Sequence, residues 1–502
     1  MDRNTSNTIV GLFCSLVILS SCTNKSVEKK EDIKPNIIFI LVDDMGWADL
    51  PVYGNNFNEA PNIDALAKEG MMFTNAYAAC PVCSPTRASI LSGQYPAHVG
   101  ITDFIPGHWR PYEKVTVPIN RTQHLPLEIK TIGETIKEAG YATAYFGKWH
   151  LGFHDDFRPK NQGFDEAVVY DGGGFYNYGE RMKPVQDIPE TKILSEALTD
   201  FSVNFIEEHK EEAFFLFLAH YDVHVQLDAD SLLIQKYLEK EKVDDYPCNA
   251  IYAAMIEHVD QSVGRVLQKL DELGVADNTM IVLFSDNGGL ISRYDEIPLI
   301  ADGKRYVYEN DPLLYVASSN KPLRAEKGTV FEGGIREPLI VKWPGKVKSN
   351  SISEALISSI DFYPTFTEIA NGILPSEQAL DGKSFVPELT KNEYDYERAI
   401  FWHYPVYHHD VPASAVRKGD WKLIHFLDDG HKELYNLKED IGETVDRSTD
   451  SPEKVDELYN LLDQWRISIN AELPVPNLDF NEKRRGEWIA HPDSMRVFKG
   501  SH

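Results

Sequence analysis

The chain has 502 residues, of which 42% are hydrophobic and 25% are charged, and its formal net charge is −28 at pH 7. This composition excludes disordered and fibrous proteins and provides apolar residues for a sizeable core. Because the length exceeds that of an average single domain, we expect a large domain and a smaller one. The acidity argues against a nucleic-acid-binding protein, which needs a basic surface. An anionic substrate would need positive charge concentrated at its binding site.

The N-terminal residues resemble an export signal. An apolar run over residues 9–19 is too short to span a bilayer and fits the hydrophobic part of a secretory signal. The run leads into Leu-Ser-Ser-Cys22, which resembles the lipobox of bacterial lipoproteins. We therefore predict a signal peptide at 1–21, lipid attachment at Cys22, a polar tether at 22–34 and anchorage to a membrane of the cell envelope. An ordinary cleaved signal peptide is the alternative.

The middle of the chain alternates between strand and helix patterns. Continuous apolar runs predict buried strands at 36–42, 141–146, 214–219 and 280–285. Three helices are predicted in the same region. The first, at 62–69, is closed by a left-handed Gly70, and the second, at 131–139, starts with a Thr131/Glu134 capping box. The third, at 256–273, has an amphipathic pattern and is closed by Gly274. This alternation is typical of a doubly wound, mostly parallel α/β sheet, which we assign to residues 35–395.

The last hundred residues follow a different pattern. Short strands are predicted at 399–404, 414–417 and 421–426, the last one after the turn residues Gly419-Asp420, and a closing helix at 452–471. We predict a smaller α+β subdomain over 396–502.

Polar residues follow all four predicted strands of the large domain. The carboxyl ends of parallel strands share one edge of a sheet, so these residues should line one cleft. They are Asp43-Asp44, Lys148 to His150, His220 with His224, and Asp286-Asn287. An oxygen-only set of carboxylates and an amide favours calcium or magnesium over zinc. Either acidic pair alone would more simply be a helix cap or a solvated turn.

Cys83 stands close to a predicted helix N-terminus. Ser84 can cap and Pro85 can open a helix that runs to Ser92 and stops at Gly93. Such a position favours anions and lowers a thiol pKa, so a Cys-x-x-Cys redox site with Cys80 competes with an anion site. Two buried structural cysteines are the third possibility.

Two stretches resemble known signatures. Cys83-Ser-Pro-Thr-Arg87 is similar to the Cys-x-Pro-x-Arg signature of the type I sulfatases, in the alkaline phosphatase superfamily, and residues 140–152 are similar to the second signature of that family. Further resemblance lies at 36–44, 60–77, 285–289, 327–338, 417–423 and 433–437. The resemblance covers nearly all of the chain after the tether.

The resemblance implies a nucleophile and a metal. In this family a maturation enzyme oxidises the signature cysteine, here Cys83, to formylglycine, whose hydrate attacks sulfur. The resemblance also implies a calcium ion held by the side chains of Asp43, Asp44, Asp286 and Asn287 and by the modified Cys83.

The resemblance implies roles for five further residues. Arg87, Lys148 and Lys327 would supply positive charge, His150 would orient or deprotonate the nucleophile, and His224 with Lys327 would protonate the leaving oxygen. The residues before Lys327 depart from the family pattern, because Ala325-Glu326 stand where many relatives carry glycine or another small pair.

The expected activity is that of a carbohydrate sulfatase acting on a sulfated polysaccharide or its oligosaccharides. Asp103, Trp109 and His403 are candidate sugar contacts, and the segment 290–320, rich in Tyr, Asp and Glu, could shape substrate choice. A phosphonate or phosphodiester hydrolase of the same superfamily is the alternative enzyme. A glycan-binding lipoprotein without catalysis is the alternative outside enzymes.

Overall fold

The computed structural model describes residues 34–293, 297–490, 492, 493 and 495. The predicted signal peptide and Cys22 lie outside these residues, as does the predicted tether apart from Lys34. The strands are β1 (Asn36–Val42), β2 (Met71–Tyr77), β3 (Val115–Thr116), β4 (Ala142–Lys148), β5 (Glu166–Tyr170), β6 (Met182–Lys183), β7 (Phe214–Ala219), β8 (Thr279–Ser285), β9 (Arg336–Lys342), β10 (Ser351–Ser353), β11 (Ile357–Ser358), β12 (Ala399–Tyr404), β13 (Ala413–Lys418), β14 (Trp421–Phe426), β15 (Lys432–Asn436) and β16 (Val475–Pro476). The α-helices are α1 (Pro61–Glu69), α2 (Cys83–Ser92), α3 (Pro96–Val99), α4 (Ile132–Glu138), α5 (Leu194–Glu208), α6 (Ser231–Glu239), α7 (Ala250–Leu273), α8 (Glu332–Ile335), α9 (Phe362–Ile369), α10 (Val386–Lys391) and α11 (Pro452–Ser468).

The large sheet contains all four strands predicted from apolar runs. Its order is β10-β2-β9-β8-β1-β7-β4-β5-β6, and β11 also pairs with β2. The central pairs β8-β1, β1-β7, β7-β4 and β4-β5 are parallel, whereas β9 runs antiparallel to both of its neighbours. The prediction of a mostly parallel α/β sheet is confirmed.

Helices cover both faces of this sheet, because its central strands are apolar on both sides. In β1, Ile38, Ile40 and Val42 pack on one face with α1, α5, α6 and α7. The alternate residues Ile37 and Phe39 pack on the other face with α2, α4, α9 and α10. Burial on both faces explains why the strand lacks polar alternation, and it leaves the strand ends as the places where polar side chains can meet.

Two helix ends differ from the sequence prediction. Gly70 is extended (φ −126°) instead of left-handed, because the chain passes directly from α1 into β2. A Cβ on Gly70 would lie 2.4 Å from the carbonyl oxygen of Val341, so close strand approach explains this glycine. Helix α2 begins at Cys83 after Val82, so Ser84 does not cap it. The Ser84 hydroxyl instead accepts a hydrogen bond from the backbone N–H of Ile105 (3.1 Å).

The predicted C-terminal subdomain is present as a separate antiparallel sheet. Its strand order is β12-β13-β14-β15, and Leu458 and Leu462 of α11 pack on one side of it. Helix α11 ends at Ser468, three residues before its predicted end. The exact boundary at 395/396 stays a prediction. Among the described helices, none combines the length and the hydrophobicity that a bilayer crossing requires.

Candidate active site

The strand ends come together at one edge of the large sheet, as predicted. Asp43 directly follows β1, Lys148 is the last residue of β4, and Asp286 directly follows β8. The loop after β7 joins this group through its backbone, since Asp43 N–H donates to the Asp222 carbonyl at 3.0 Å and Val223 N–H donates to the Asp43 carbonyl at 2.7 Å. The parallel register of the central strands therefore builds the site.

Four oxygen-bearing side chains form what we term the oxygen cluster. Its members are Asp43, Asp44, Asp286 and Asn287, and all are at most 1% exposed. Three cations face it: Lys148 contacts Asp43 (2.5 Å), Lys327 contacts Asp44 (2.6 Å), and two nitrogens of Arg87 contact Oδ2 of Asp286 (2.8 and 2.7 Å). Three buried carboxylates are thus balanced by three cations. Bringing them together without that balance would be prohibitively costly.

Mutual attraction shifts the pKa values in this group. Although burial opposes ionisation, the charges of Lys148 and Arg87 hold the pKa of Asp43 well below its usual range. Burial likewise disfavours the charged form of Lys327, but Asp44 keeps its pKa above the ordinary value. Both groups are therefore charged at neutral pH.

The oxygen cluster retains acceptors that no described protein group satisfies. Oδ1 of Asp43, Oδ2 of Asp44 and Oδ1 of Asn287 are buried and accept no hydrogen bond within the described residues. Buried oxygens of this kind are expensive unless a donor or a cation meets them. Hard carboxylate and amide oxygens are what calcium prefers, so the residues fit the predicted calcium ion. With a bound divalent cation the balanced group would carry a net charge of about +2, which suits an anionic substrate.

Cys83 lies at the first turn of α2 and contacts one predicted partner. Its Sγ is 3.2 Å from Nδ1 of His150, whose Nε2 is 2.7 Å from the Ile105 carbonyl oxygen. Because a carbonyl can only accept, Nε2 carries the proton and Nδ1 is left as an acceptor facing Cys83. Burial and the charge of Lys148 lower the pKa of His150 well below its ordinary value, which keeps the ring neutral.

The thiol of Cys83 is not activated in the way that a redox cysteine would be. Burial raises its pKa despite the nearby Lys148 and Lys327. Cys80 is also buried, its pKa is raised well above the ordinary value, and both cysteines are free. A reactive Cys-x-x-Cys pair requires a lowered thiol pKa, so this observation disfavours the redox alternative.

His224 faces the oxygen cluster from the loop after β7. Its Nδ1 is 2.6 Å from the Val225 carbonyl, and its Nε2 is 3.7 Å from Oδ2 of Asp44. Burial and the charge of Lys327 lower the pKa of His224 to about 4. The ring is therefore neutral at pH 7, with its proton on Nδ1.

A cavity of about 360 Å³ opens above Cys83, a size suited to a small organic ligand. Four of its lining residues were predicted from sequence: Cys83, His150, His224 and Lys327. A smaller cavity beside it, of about 130 Å³, is lined by Lys148 together with the same two histidines. The lining of neither cavity includes Arg87. Its guanidinium instead donates hydrogen bonds to Oδ2 of Asp286 (2.8 Å) and to the Lys148 carbonyl (2.6 Å).

Sequence reasoning missed most of the outer wall of the larger cavity. Leu290 and Arg293 come from the segment 290–320 that the sequence singled out, and the lining residues that it missed are Phe104, Ile105, Val225, His408, His409 and Trp488. The adjacent histidines at 408 and 409, which begin five residues after the candidate His403, were a usable signal. Nothing local marks Trp488, which stands in a polar stretch near the C-terminus.

The loop that carries Lys327 is tied to the segment 290–320. Oε2 of Glu326 accepts hydrogen bonds from Ile291 N–H (2.6 Å) and Ser292 N–H (2.9 Å), and its Oε1 lies 3.2 Å from Nδ1 of His409. Ala325 adopts a left-handed conformation (φ 63°), a backbone state that favours glycine. The departure from the family pattern noted in the sequence thus places an alanine where the backbone prefers glycine.

None of the three candidate sugar contacts belongs to the lining of this cavity. Asp103 accepts hydrogen bonds from Phe104 N–H (2.8 Å) and His108 N–H (3.2 Å), so it braces the loop that carries Phe104. Trp109 forms an isolated bridge with Ile489. His403 is buried, with its ring nitrogens 2.8 Å from the Ser414 hydroxyl and 2.9 Å from the Glu472 carbonyl. A direct sugar contact by any of them stays a prediction.

Comparison with known proteins decides the family. The family model named Sulfatase matches residues 35–373, and the model of the N-sulphoglucosamine sulphohydrolase C-terminal region matches residues 325–466. The chain belongs to the sulfatase family. It is therefore a sulfuric ester hydrolase of the type I class, and the resemblance seen in the sequence is confirmed.

Relatives of the sulfatase include carbohydrate sulfatases. A sulfatase of Formosa agariphila is 32% identical, with 92% of this chain and 93% of that protein covered. Human N-acetylgalactosamine-6-sulfatase is 31% identical, covering 74% and 68% of the two chains. The solved structure of Ps i-CgsB is 27% identical with a TM-score of 0.72, covering 93% and 97%, and that protein has also been solved in complex with k-i-k-neocarrahexaose.

Proposed function

We propose that the sulfatase hydrolyses sulfate esters of a sulfated polysaccharide or its oligosaccharides, with a formylglycine made from Cys83 and a bound calcium ion. The observation that carries this proposal is the position of Cys83: it opens α2, lines the larger cavity and contacts His150. The saccharide class is supported by relatives named for N-acetylgalactosamine 6-sulfate and by the neocarrahexaose complex of Ps i-CgsB.

A formylglycine at position 83 would supply the nucleophile, since its hydrate would offer a hydroxyl able to attack sulfur. The oxygen cluster would hold calcium, which would supply positive charge that lowers the free energy of negative charge on the nucleophile and on the sulfate oxygens. The net reaction consumes one water and gives the free alcohol and sulfate.

The chain's own residues direct the proton at the nucleophile. Nδ1 of His150 is an acceptor aimed at the side chain of residue 83, because Nε2 is committed to the Ile105 carbonyl. We assign to His150 the removal of a proton from the attacking hydroxyl. Lys148, whose ammonium lies against Asp43, supplies fixed positive charge next to the reacting group.

Lys327 is the better proton donor for the departing alcohol. Its pKa is held above the ordinary value by Asp44, so its ammonium is protonated at neutral pH. His224 is neutral with its proton on Nδ1, so its Nε2 can accept a hydrogen bond and has no proton to give. We therefore assign donation to Lys327 and orientation of the substrate to His224. Both line the cavity.

Mass spectrometry of the protein purified from its native host tests this proposal directly. A peptide containing Cys83 that is lighter by about 18 Da than the thiol form, as the change from thiol to aldehyde requires, would support it. The peptide containing Cys248, a cysteine outside the signature, should keep its unmodified mass. An unmodified thiol at Cys83 in a host that matures other sulfatases would count against the formylglycine.

Calcium removal should destabilise the sulfatase. A ligand bound only to the folded state stabilises it by about 4 kcal/mol at a free concentration roughly 1,000 times Kd. We expect a chelator to lower the thermal unfolding midpoint of the wild type and calcium to restore it. The variant Asp44→Asn should respond little to either addition. Differential scanning calorimetry with and without calcium makes the measurement.

A second acidic group serves as the control for calcium. Glu166, Glu208 and His209 also lie within metal-ligand distance of one another, but on the surface. Glu208→Gln should leave the response to calcium intact. A calcium response that Glu208→Gln abolishes and Asp44→Asn retains would place the ion outside the oxygen cluster.

We also propose that a maturation enzyme in the host modifies Cys83 and that the protein is exported and held at the cell envelope by lipid on Cys22. Both proposals are supported by sequence motifs: Cys83-x-Pro-x-Arg87 for maturation and the lipobox for anchorage. Metabolic labelling with a fatty acid, compared between wild type and Cys22→Ala, checks the anchor. Label retained by Cys22→Ala would contradict it.

A further inference from the structure

The chain beyond α11 returns to the cavity. Residues 475–490, termed the C-terminal segment, run alongside residues 109–116. β16 pairs antiparallel with β3, Asn481 N–H donates to the Tyr112 carbonyl (3.1 Å), and Trp109 and Ile489 exchange two backbone hydrogen bonds of 2.8 Å. The contact is thus distributed along the whole segment, so its far end has a defined position.

Side chains fasten the C-terminal segment at three further points. Nδ2 of Asn477 donates to the carbonyls of Pro111 (2.9 Å) and Glu113 (2.7 Å). The guanidinium of Arg484 lies 3.6 Å from the ring centre of Tyr112, and Arg485 contacts the buried carboxylate of Glu113 at 3.1 Å. A binding residue mounted on such a fixed element is preorganised, which reduces the entropy lost on binding.

The fixed segment brings Trp488 to the mouth of the larger cavity. Its indole lines the cavity with Phe104, His408 and His409, on the wall that sequence reasoning missed. The side chain is 42% exposed, so part of the indole can meet a ligand in the cavity. Its ring also contacts His108 edge-on, with 6.3 Å between centroids. A pyranose ring presents C–H bonds on its faces, and such faces pack on exposed aromatic rings.

The position of Trp488 in the chain separates it from the reaction machinery. The two matched family models end at residues 373 and 466, so the C-terminal segment lies beyond both. The residues assigned to chemistry all lie before residue 330. A cavity wall added from outside the matched regions can change which saccharide fits without altering how the sulfate ester is cleaved.

We propose that the C-terminal segment is a specificity element and that Trp488 is a stacking platform for a pyranose ring of the sulfated saccharide. This inference rests on the proposed carbohydrate sulfatase function. Tryptophan is one of the residue types enriched among the few that dominate the binding energy of protein interfaces. The platform acts mainly on saccharide binding, because Trp488 is not among the residues assigned to cleavage of the sulfate ester.

The test compares three variants of the full-length, mature sulfatase with the wild type: Trp488→Ala, Trp488→Phe and the control Phe480→Ala. Phe480 stands on the same segment with a similar exposure of 43%, and it is absent from the lining of the described cavity. Calorimetry measures the binding of k-i-k-neocarrahexaose and of N-acetylgalactosamine 6-sulfate. Turnover of 4-nitrophenyl sulfate measures cleavage without a sugar.

For whichever saccharide the wild type binds, we expect Trp488→Ala to weaken binding about tenfold, the effect of roughly 1.4 kcal/mol. Trp488→Phe should recover part of the loss, and Phe480→Ala should match the wild type. The kcat for 4-nitrophenyl sulfate should change less than twofold in the control Phe480→Ala, and in the two Trp488 variants it should fall by less than saccharide binding does.

Other outcomes overturn the inference. Equal losses in saccharide binding and in 4-nitrophenyl sulfate turnover would show that Trp488 merely supports the site. Unchanged saccharide binding in Trp488→Ala, or binding of neither saccharide by the wild type, would also overturn it. Saccharide binding without any 4-nitrophenyl sulfate turnover by the wild type would instead contradict the proposed function, while the binding data would still decide the role of Trp488.

Discussion

Cys83→Ala should abolish sulfate ester turnover, whereas Cys80→Ala should retain it. Both side chains are buried, and only three positions separate them along the chain. Cys83 lines the cavity and contacts His150, while Sγ of Cys80 packs at 3.9 Å from the Thr102 carbonyl. Loss of a covalent nucleophile typically costs more than about 10³-fold in kcat. Removal of a buried thiol that does no chemistry costs only stability.

The measurement is kcat for 4-nitrophenyl sulfate at saturating substrate, with circular dichroism to confirm folding. Cys80→Ala should keep kcat within about threefold and lower the unfolding free energy by about 1 kcal/mol. Cys83→Ala should fold and should keep the four predicted calcium ligands of the oxygen cluster, while it loses the side chain of residue 83 as the fifth. Turnover surviving in Cys83→Ala, or vanishing in a folded Cys80→Ala, would contradict the assignment of Cys83 as the nucleophile.

Much of the fold could be predicted because its signals are local. Strand β1 has seven consecutive buried residues and ends at Asp43, so the apolar run and its polar terminus mark both the strand and the edge of the sheet. The capping box of Thr131 and Glu134 marks the start of α4, and both of its hydrogen bonds are present. Once the strands are parallel, their carboxyl ends lie at the same edge of the sheet, so the position of the site follows from the strand prediction alone.

The prediction of α2 was less accurate because two local signals competed. Ser84 and Pro85 read as a cap followed by the first helical residue, but the helix begins one residue before Ser84. The Ser84 hydroxyl is drawn away by a partner 21 positions along the chain, Ile105 N–H. A serine in the sequence can cap a helix, but a tertiary contact decides whether its hydroxyl does so.

The outer wall of the cavity could not be predicted because its contacts are far apart in sequence. Phe104, His409 and Trp488 come from three widely separated parts of the chain and meet only after the C-terminal segment pairs with residues 109–116. That segment contains no apolar run, and β16 has two residues, so no local pattern marks it as ordered. The catalytic residues are therefore recognisable from motifs in the sequence. The residues of the outer wall, which would select the substrate, are brought together only by long-range packing.

Arg87→Gln should lower both stability and turnover, whereas Arg398→Gln should lower stability alone. Arg87 is buried behind the cavity, with two nitrogens on Asp286. Arg398 is largely buried, with 10% of its side chain exposed, and holds the fully buried Asp361 through two contacts of 2.6 Å, in a part of the protein that lines neither cavity. Breaking a buried ion pair by removing one partner costs about 3–5 kcal/mol, because the other charge is left uncompensated.

Only the Arg87 substitution disturbs the calcium ligands. Asp286 would lose its partner while still facing the other carboxylates of the oxygen cluster, and the Lys148 carbonyl would lose its donor. Removing such support for a metal ligand typically costs 10–100-fold in metal affinity or activity, roughly the effect expected here. Below its unfolding temperature, Arg87→Gln should therefore show reduced kcat and a higher calcium concentration for half-maximal activity.

Urea titration gives the unfolding free energy of both variants, and calcium titration of activity separates them. Arg398→Gln should unfold at lower urea than the wild type yet keep its kcat and its calcium dependence at low temperature. If the folded Arg87→Gln variant also kept the kcat and the calcium dependence of the wild type, Arg87 would contribute to stability only. The pairing of Arg87 with Asp286 would then be a structural ion pair, and the positive charge at the reacting group would come from Lys148 and Lys327 alone.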